Sequence, residues 1–325
     1  MRQKYAARKN MLLIPVLALL IFTVLFAYGA YRKTFYRRRR REEDIYVALD
    51  RLPENIALRT RQLIGDLDGI EFEPVEIRSD DGLRLFARYY HVADGAPLHI
   101  QFHGYRSHSL RDFCGGNPLA RDCGHNTLLV DQRAHGNSEG HTISFGIKER
   151  VDCLRWVEYA TRRFGKETPI FLTGVSMGAA TVLMATELPL PPNVVGVIAD
   201  CPYSSPRAII RKVIGDMGLP VWAAYPFVCI GARLFGKFDG LSRFSAVNAV
   251  KHAKMPILLI HGEADGFVPC KMSREIAAAC ASFVRLETFP NADHVMCYMT
   301  DYDRYHDITV DFINSCLNTF KNKEE

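Results

Sequence analysis

No C-x-x-C pair occurs among the nine cysteines of this 325-residue chain, which fall singly at positions 114, 123, 153, 201, 229, 270, 280, 297 and 316. An odd, unclustered set makes a poor disulfide framework and suits reduced thiols. Five histidines lie close in sequence, His103, His108, His125, His135 and His141, but none joins a cysteine at the short regular spacing of a zinc site. No metal and no cofactor is therefore expected. Internal repeats and low-complexity stretches are also absent, which excludes a solenoid. The net charge of +5 does not describe the body of the protein. Eleven of the 41 Lys and Arg fall in the first 41 residues, leaving 30 against 36 Asp and Glu. A mildly acidic body carries no nucleic-acid footprint. With 48% apolar and 24% charged residues the chain can build a sizeable core, one large α/β domain plus an appendage.

The appendage is N-terminal. Met11 to Tyr31 is a run of 21 residues without a charge, about 30 Å as a helix, enough to cross the hydrocarbon of a bilayer. A buried core helix would rarely have basic clusters at both ends, so residues 11–31 are expected to span the membrane once. Pro15 then sits in the first turn, where proline is tolerated. Four basic residues precede the run and seven follow it, which by the positive-inside rule puts the body in the cytoplasm, on the cell membrane. The competing expectation is a signal peptide cleaved near Ala27-Tyr28-Gly29, although the apolar run exceeds a usual signal core. The run Arg37 to Arg41 serves either as a stop-transfer flank or as a contact for anionic headgroups.

Residues 1–41 are thus expected to form an anchor, and 42–72 a linker. The linker's helical stretch from about Asp44 to Asp68 sets Leu49, Leu52, Ile56, Leu63 and Ile64 on one side. Residues 73–322 form the main domain. Its strand-length runs are Pro74 to Ile77, Leu83 to Tyr90, Leu98 to Phe102, Thr127 to Val130, Ile170 to Thr173, Val194 to Ala199, Ile257 to Ile260 and Val284 to Phe289. Asp80-Asp81-Gly82 between the first two is a hairpin signal. Helical stretches such as Ile147 to Phe164, Gly178 to Glu187 and Met272 to Ala281 separate later strands, which implies a mostly parallel sheet covered on both faces. Residues 203–254 break the alternation. This apolar, glycine-punctuated insertion, with Leu219, Trp222, Tyr225, Phe227 and Phe235, is expected to be a small helical cap over an apolar substrate.

Strand, turn and helix meet at Gly174-Val175-Ser176-Met177-Gly178, a G-x-S-x-G in which flanking glycines permit the sharp turn that exposes a serine hydroxyl. Such a hydroxyl needs a base, and the base an orienting carboxylate. Asp265 lies on the loop after the Ile257 to Ile260 strand and His294 on the loop after the next, in the chain order Ser, Asp, His. Asp200 is the rival acid and Glu263 a remote one. An oxyanion would need two N–H donors. Met177, after the serine, and Tyr105, in the loop His103-Gly104-Tyr105, are the candidates, with His103 bracing that loop.

On these residues, with Asp131-Gln132-Arg133-Ala134-His135-Gly136-Asn137-Ser138-Glu139-Gly140, the chain resembles the α/β-hydrolase superfamily. Within it, the chain is similar to bacterial membrane-anchored hydrolases of the serine aminopeptidase or cephalosporin-deacetylase-like type. The resemblance spans residues 75 to 310 and implies an α/β-hydrolase fold with a mostly parallel eight-stranded sheet. In similar proteins the Asp131 to Gly140 stretch is a conformational brace, and here Ala134 replaces the commoner glycine. A serine nucleophile argues against the dehalogenase and epoxide-hydrolase branches. The expected activity is hydrolysis of a small-molecule carboxylic ester or thioester with an apolar acyl group, through an acyl-enzyme on Ser176. A serine peptidase or amidase acting on an amide with the same triad is the alternative. A non-catalytic membrane-anchored binding protein is the remote one.

Overall fold

The computed structural model describes residues 2–38, 44–47 and 49–322. Arg39 to Arg41 of the basic run, and Glu42 and Glu43 where the expected linker opens, lie outside the described residues. The chain divides into two compact units: a larger one of 37–209 with the chain from Leu241 on, and a smaller one of the chain up to Tyr36 with Ile210–Gly240.

Eight strands form the sheet of the larger unit: β1 (Glu73–Arg78), β2 (Arg84–Tyr90), β3 (Leu98–Phe102), β4 (Asn126–Asp131), β5 (Ile170–Val175), β6 (Val194–Asp200), β7 (Ile257–Gly262) and β8 (Val284–Phe289). Their order is β1-β2-β4-β3-β5-β6-β7-β8. β1 and β2 pair antiparallel, as does β2 with β4, and every pair from β4 to β8 is parallel. The helices are α1 (Arg2–Thr34), α2 (Asp44–Val47), α3 (Glu54–Asp68), α4 (Ser109–Asp112), α5 (Gly116–Asp122), α6 (Glu149–Phe164) and α7 (Met177–Ala185). They continue with α8 (Pro206–Asp216), α9 (Val221–Leu234), α10 (Ala246–Ala249), α11 (Lys271–Ala279), α12 (Cys297–Thr300) and α13 (Tyr302–Lys321).

Every residue of β3, β4, β6 and β7 is buried. These strands read as near-continuous apolar runs because parallel strands are covered on both faces. Helix α13 contributes Ile308, Phe312 and Ile313 to a core shared with Phe171, Leu258 and Phe289. The stretch expected as a linker packs on the sheet: Ile45, Leu49, Ile64 and Leu67 are buried in one cluster with Tyr90 and Val175.

One expectation needs correction. Helix α1 begins at Arg2, so Pro15 lies in its interior and not in its first turn; one i to i−4 hydrogen bond is lost there. The stretch of α1 long and apolar enough to cross a membrane is Pro15–Thr34. Of residues 203–254, which run between β6 and β7, 210–240 cluster with the N-terminal helix and the rest with the larger unit.

A buried ion pair ties the larger unit together. Arg133, in the turn after β4, donates through Nε and Nη2 to both carboxylate oxygens of Asp152 on α6, each at 2.6 Å. Its Nη1 reaches Asp81, in the β1–β2 turn, at 2.9 Å. The Arg133 and Asp152 side chains are almost wholly buried. Removing one partner strands the other charge out of water. Arg133→Met should therefore lower unfolding stability by about 3–5 kcal/mol, read as a shift in the urea midpoint. A loss below about 1 kcal/mol, the worth of a surface pair, would show that solvent reaches the pair.

Candidate active site

The backbone turns sharply between β5 and α7. Ser176 is held at φ 54° and ψ −110°, a conformation that costs a non-glycine residue about 1–3 kcal/mol. The neighbouring glycines are required by proximity. A Cβ on Gly174 would run into the backbone of Gly178, and one on Gly178 into the carbonyl of Phe102. The Ser176 N–H donates to the Asp200 carbonyl at 2.8 Å, so the turn is also tied to the end of β6.

The three residues expected from chain order to act together do meet. His294 Nε2 lies 3.0 Å from Ser176 Oγ, and His294 Nδ1 lies 2.7 Å from Asp265 Oδ2. Asp265 follows β7, and its Oδ1 accepts the backbone N–H groups of Phe267 and Val268 at 2.9 and 2.7 Å. Burial alone would raise the Asp265 carboxyl. Hydrogen bonds from His261, His294 and the Val268 N–H outweigh it and hold the group well below the usual carboxylate range. His294 follows β8, and its N–H donates to the Asp293 carboxylate at 2.7 Å. The Phe267 ring packs edge-on against the His294 imidazole.

His261 escaped the sequence pattern. It is fully buried at the end of β7, with Nδ1 2.6 Å from Ser273 Oγ, Nε2 2.8 Å from the Val268 carbonyl, and Nε2 3.3 Å from Asp265 Oδ2. Its partner Ser273 lies on α11, and no local spacing signals that pairing.

The loop after β3 reaches Ser176. A Cβ on Gly104 would sit 3.5 Å from Ser176 Cβ. On either side of Tyr105, the Gly104 N–H donates to Asp112 Oδ2 at 2.7 Å and the Arg106 N–H to His135 Nε2 at 3.1 Å. His103, expected as a brace, is one: its Nδ1 donates to the Gly104 carbonyl and its Nε2 accepts the Gln132 N–H at 3.1 Å. Burial pushes its basicity down, which suits a ring that must keep one nitrogen unprotonated. Ala134, where similar proteins have glycine, takes a left-handed φ of 64°. Met177, the other expected N–H donor, opens α7, where the first backbone N–H groups have no partner inside the helix.

Asp200, the rival acid, does not reach His294. Its Oδ2 accepts the Tyr305 hydroxyl at 3.2 Å, and among the described residues Oδ1 has no hydrogen-bond partner. Glu263 pairs with Arg274 and Thr288 instead. Cys201, Asp265 and His294 each bring a potential ligand atom within 4.8 Å of the others. A metal there would compete with the Asp265–His294 hydrogen bond, and burial pushes the Cys201 thiol well above its usual range, away from the thiolate a metal needs. The set suits an acid–base pair better than a metal centre.

A cavity of about 220 Å³ borders Val175 and Val295, the neighbours in sequence of Ser176 and His294, and is walled by Phe113, Ile198, Met296 and Tyr298 among others.

A sequence profile of the alpha/beta hydrolase family matches residues 102–308, and the chain belongs to that family. The uncharacterised protein YqkD of Bacillus subtilis is 26% identical over 229 residues, covering 70% of this chain and 74% of YqkD. YfhR of Escherichia coli, also uncharacterised, is 25% identical over 196 residues, 59% of this chain and 62% of YfhR. Among solved structures, an esterase from Pyrococcus furiosus superposes with a TM-score of 0.60 at 24% identity, covering 77% of this chain and 93% of that one. That likeness establishes the fold.

The isolation of Asp200 has a thermodynamic signature. Burial, against the pull of His261, Tyr305 and His294, pushes its carboxyl up from an ordinary 3.8 to about 6. Between those values the folded protein keeps a proton that the unfolded chain has lost, so stability falls as pH rises through that window, by about 3 kcal/mol. Asp200→Asn should abolish this decline and leave the variant more stable than wild type above pH 6. Urea titrations at pH 4 and pH 7.5 measure the difference. Equal pH slopes in the two proteins would mean that Asp200 ionises as freely folded as unfolded.

Proposed function

We propose that this alpha/beta hydrolase cleaves small-molecule carboxylic esters or thioesters through an acyl-enzyme on Ser176. The observation that carries the proposal is the unbroken hydrogen-bonded path from Ser176 Oγ through His294 to Asp265, at 3.0 and 2.7 Å. Ser176 Oγ attacks the carbonyl carbon while His294 Nε2 takes its proton. Asp265 holds the imidazole with Nδ1 protonated and stabilises the imidazolium that forms. The carbonyl oxygen becomes an oxyanion that accepts the backbone N–H groups of Met177 and Tyr105. Collapse returns the proton from His294 to the departing alcohol or thiol and leaves Ser176 acylated. Water then attacks with His294 again as base, and breakdown frees the acid and restores the serine hydroxyl.

The cavity beside Val175 and Val295, walled by Phe113, Ile198, Met296 and Tyr298 and also by Arg111, Asp112 and Asp200, supports a small organic group on the substrate. The Pyrococcus furiosus protein that shares the fold is an esterase, in keeping with this chemistry.

The same proposal assigns α1 as a membrane anchor. Val16, Leu17, Leu19, Leu20 and Leu25 are all exposed on it, a surface stable in lipid and not in water. The seven basic residues that follow put the catalytic unit in the cytoplasm.

Ser176→Ala should lose at least about 10³-fold in turnover of a nitrophenyl ester and all labelling by a fluorophosphonate probe. Retention of a tenth of wild-type turnover would reassign the nucleophile. Asp265→Asn should cost about 10³- to 10⁴-fold, because an amide can hold the imidazole in the wrong tautomer. Asp200→Asn should cost far less; the reverse ranking would move the orienting role to Asp200. For the anchor, alkaline phosphatase fused at the C-terminus should be inactive in intact cells, and an active fusion would invert the topology.

A further inference from the structure

Helix α9 is the least expected element of the smaller unit. From Met217 to Ala232 the chain carries no charge for 16 residues, and charges return only at Arg233 and Lys237. The helix packs along α1 in the same direction, as four successive contacts show. The Phe227 ring lies 6.5 Å from that of Phe22 and 5.4 Å from that of Phe26. A Cβ on Gly231 would run into the Ala27 carbonyl and lie 3.1 Å from Tyr31 Cβ, the close backbone approach that small residues permit between helices in lipid. Phe235 packs on Tyr28 and Tyr31, at 5.1 and 5.9 Å. Phe238 meets Phe35 at 5.2 Å. Numbers rise together along both chains, so the helices are parallel. Arg233 and Lys237 therefore lie level with the basic end of α1, while Trp222 lies toward its apolar middle and N-terminal half.

Trp222 is 82% exposed, with Met217 and Leu219 exposed in the turn that leads into it, and Leu234 is exposed at the far end of α9. So much large apolar surface at one tip is unusual on a water-facing helix. The cations Arg207 and Arg211 on the preceding α8 are exposed as well.

We infer that α9 and the turn leading into it are a second membrane-embedded element, entering the bilayer alongside α1 with Trp222 in contact with lipid. The inference rests on α1 being an anchor. Because α9 runs parallel to α1 at matched heights, a bilayer that takes up the Pro15–Thr34 stretch of α1 must meet the α9 surface too. A bilayer satisfies the helix's exposed apolar side chains, and anionic headgroups satisfy its basic flanks. Trp222 and Leu219, expected to face substrate, then fix the smaller unit in the lipid at a second point, while Phe227 and Phe235 pack on α1.

The chain has two tryptophans, and the other, Trp156, is buried in α6, so fluorescence isolates the question. The full-length protein is reconstituted in phosphatidylcholine–phosphatidylglycerol vesicles, with and without brominated acyl chains, and compared with Trp222→Phe. Emission in wild type should contain a blue-shifted component quenched by bromine, and Trp222→Phe should lose that component. Equal quenching in the two proteins would overturn the inference, whether Trp222 then proved open to aqueous acrylamide or shielded by a second protein copy. Flotation after alkaline carbonate treatment separates the two readings. Protein that floats with unquenched Trp222 retains α1 as anchor and loses only α9, whereas protein left at the bottom overturns both.

Discussion

The arrangement depends on how closely α7 crosses the sheet. Gly178 stands against the Phe102 carbonyl and Gly174 against Gly178, so β3, β5 and the first turn of α7 are in backbone contact. Any side chain at either glycine would push α7 away and let Ser176 relax from its left-handed φ. With the crossing in place, the hydroxyl is raised from the backbone at the carboxyl edge of the sheet. The parallel register from β3 to β8 then delivers the other groups to that edge: Asp200 ends β6, and the Gly104–Tyr105 loop, Asp265 and His294 each follow a strand that ends there.

Two aspartates at the ends of adjacent strands show how environment divides one side-chain type between roles. Asp265 receives two backbone N–H groups and the imidazoles of His261 and His294, all of which favour its charged form. Asp200 receives one tyrosine hydroxyl and is otherwise desolvated, which favours the neutral form. A neutral acid at Asp265 could not stabilise an imidazolium. A charged one at Asp200 would be an unpaired buried anion. The histidines divide in a similar way. His103, His135 and His261 each bind backbone or hydroxyl groups through both ring nitrogens and hold loops in place, while His294 alone faces the serine.

The smaller unit follows a different physical logic. In the larger unit, apolar side chains are buried against the sheet and their neighbours. In α1 and α9 the rings pack on one another and a wide apolar margin stays outside. Helices of this kind are stable where hydrocarbon, not water, surrounds them. The aromatic richness of 219–235 reads as a substrate cap if burial by the protein is assumed. Its ring contacts match these residues to α1, the helix proposed as the anchor.

From the sequence alone came every property governed by neighbours along the chain. Strands β6 and β7 were legible because buried parallel strands leave near-continuous β-branched and aliphatic runs, and β1 and β2 because a turn signal separates them. The turn at Ser176 was legible because a strand-turn-helix of this sharpness needs glycine within two residues on either side of Ser176. Chain order and loop position were enough to bring Asp265 and His294 forward. What only the tertiary structure decided were relations between distant segments. His261 reaches Ser273 across a loop, and Asp200 finds Tyr305 105 residues away. Ala134 takes a φ that no periodicity reveals, and Phe227 finds Phe26 some two hundred residues back along the chain. Hydropathy records that a side chain must leave water. It does not record which surface receives it, because hydrophobic attraction has no direction and the partner is set by packing.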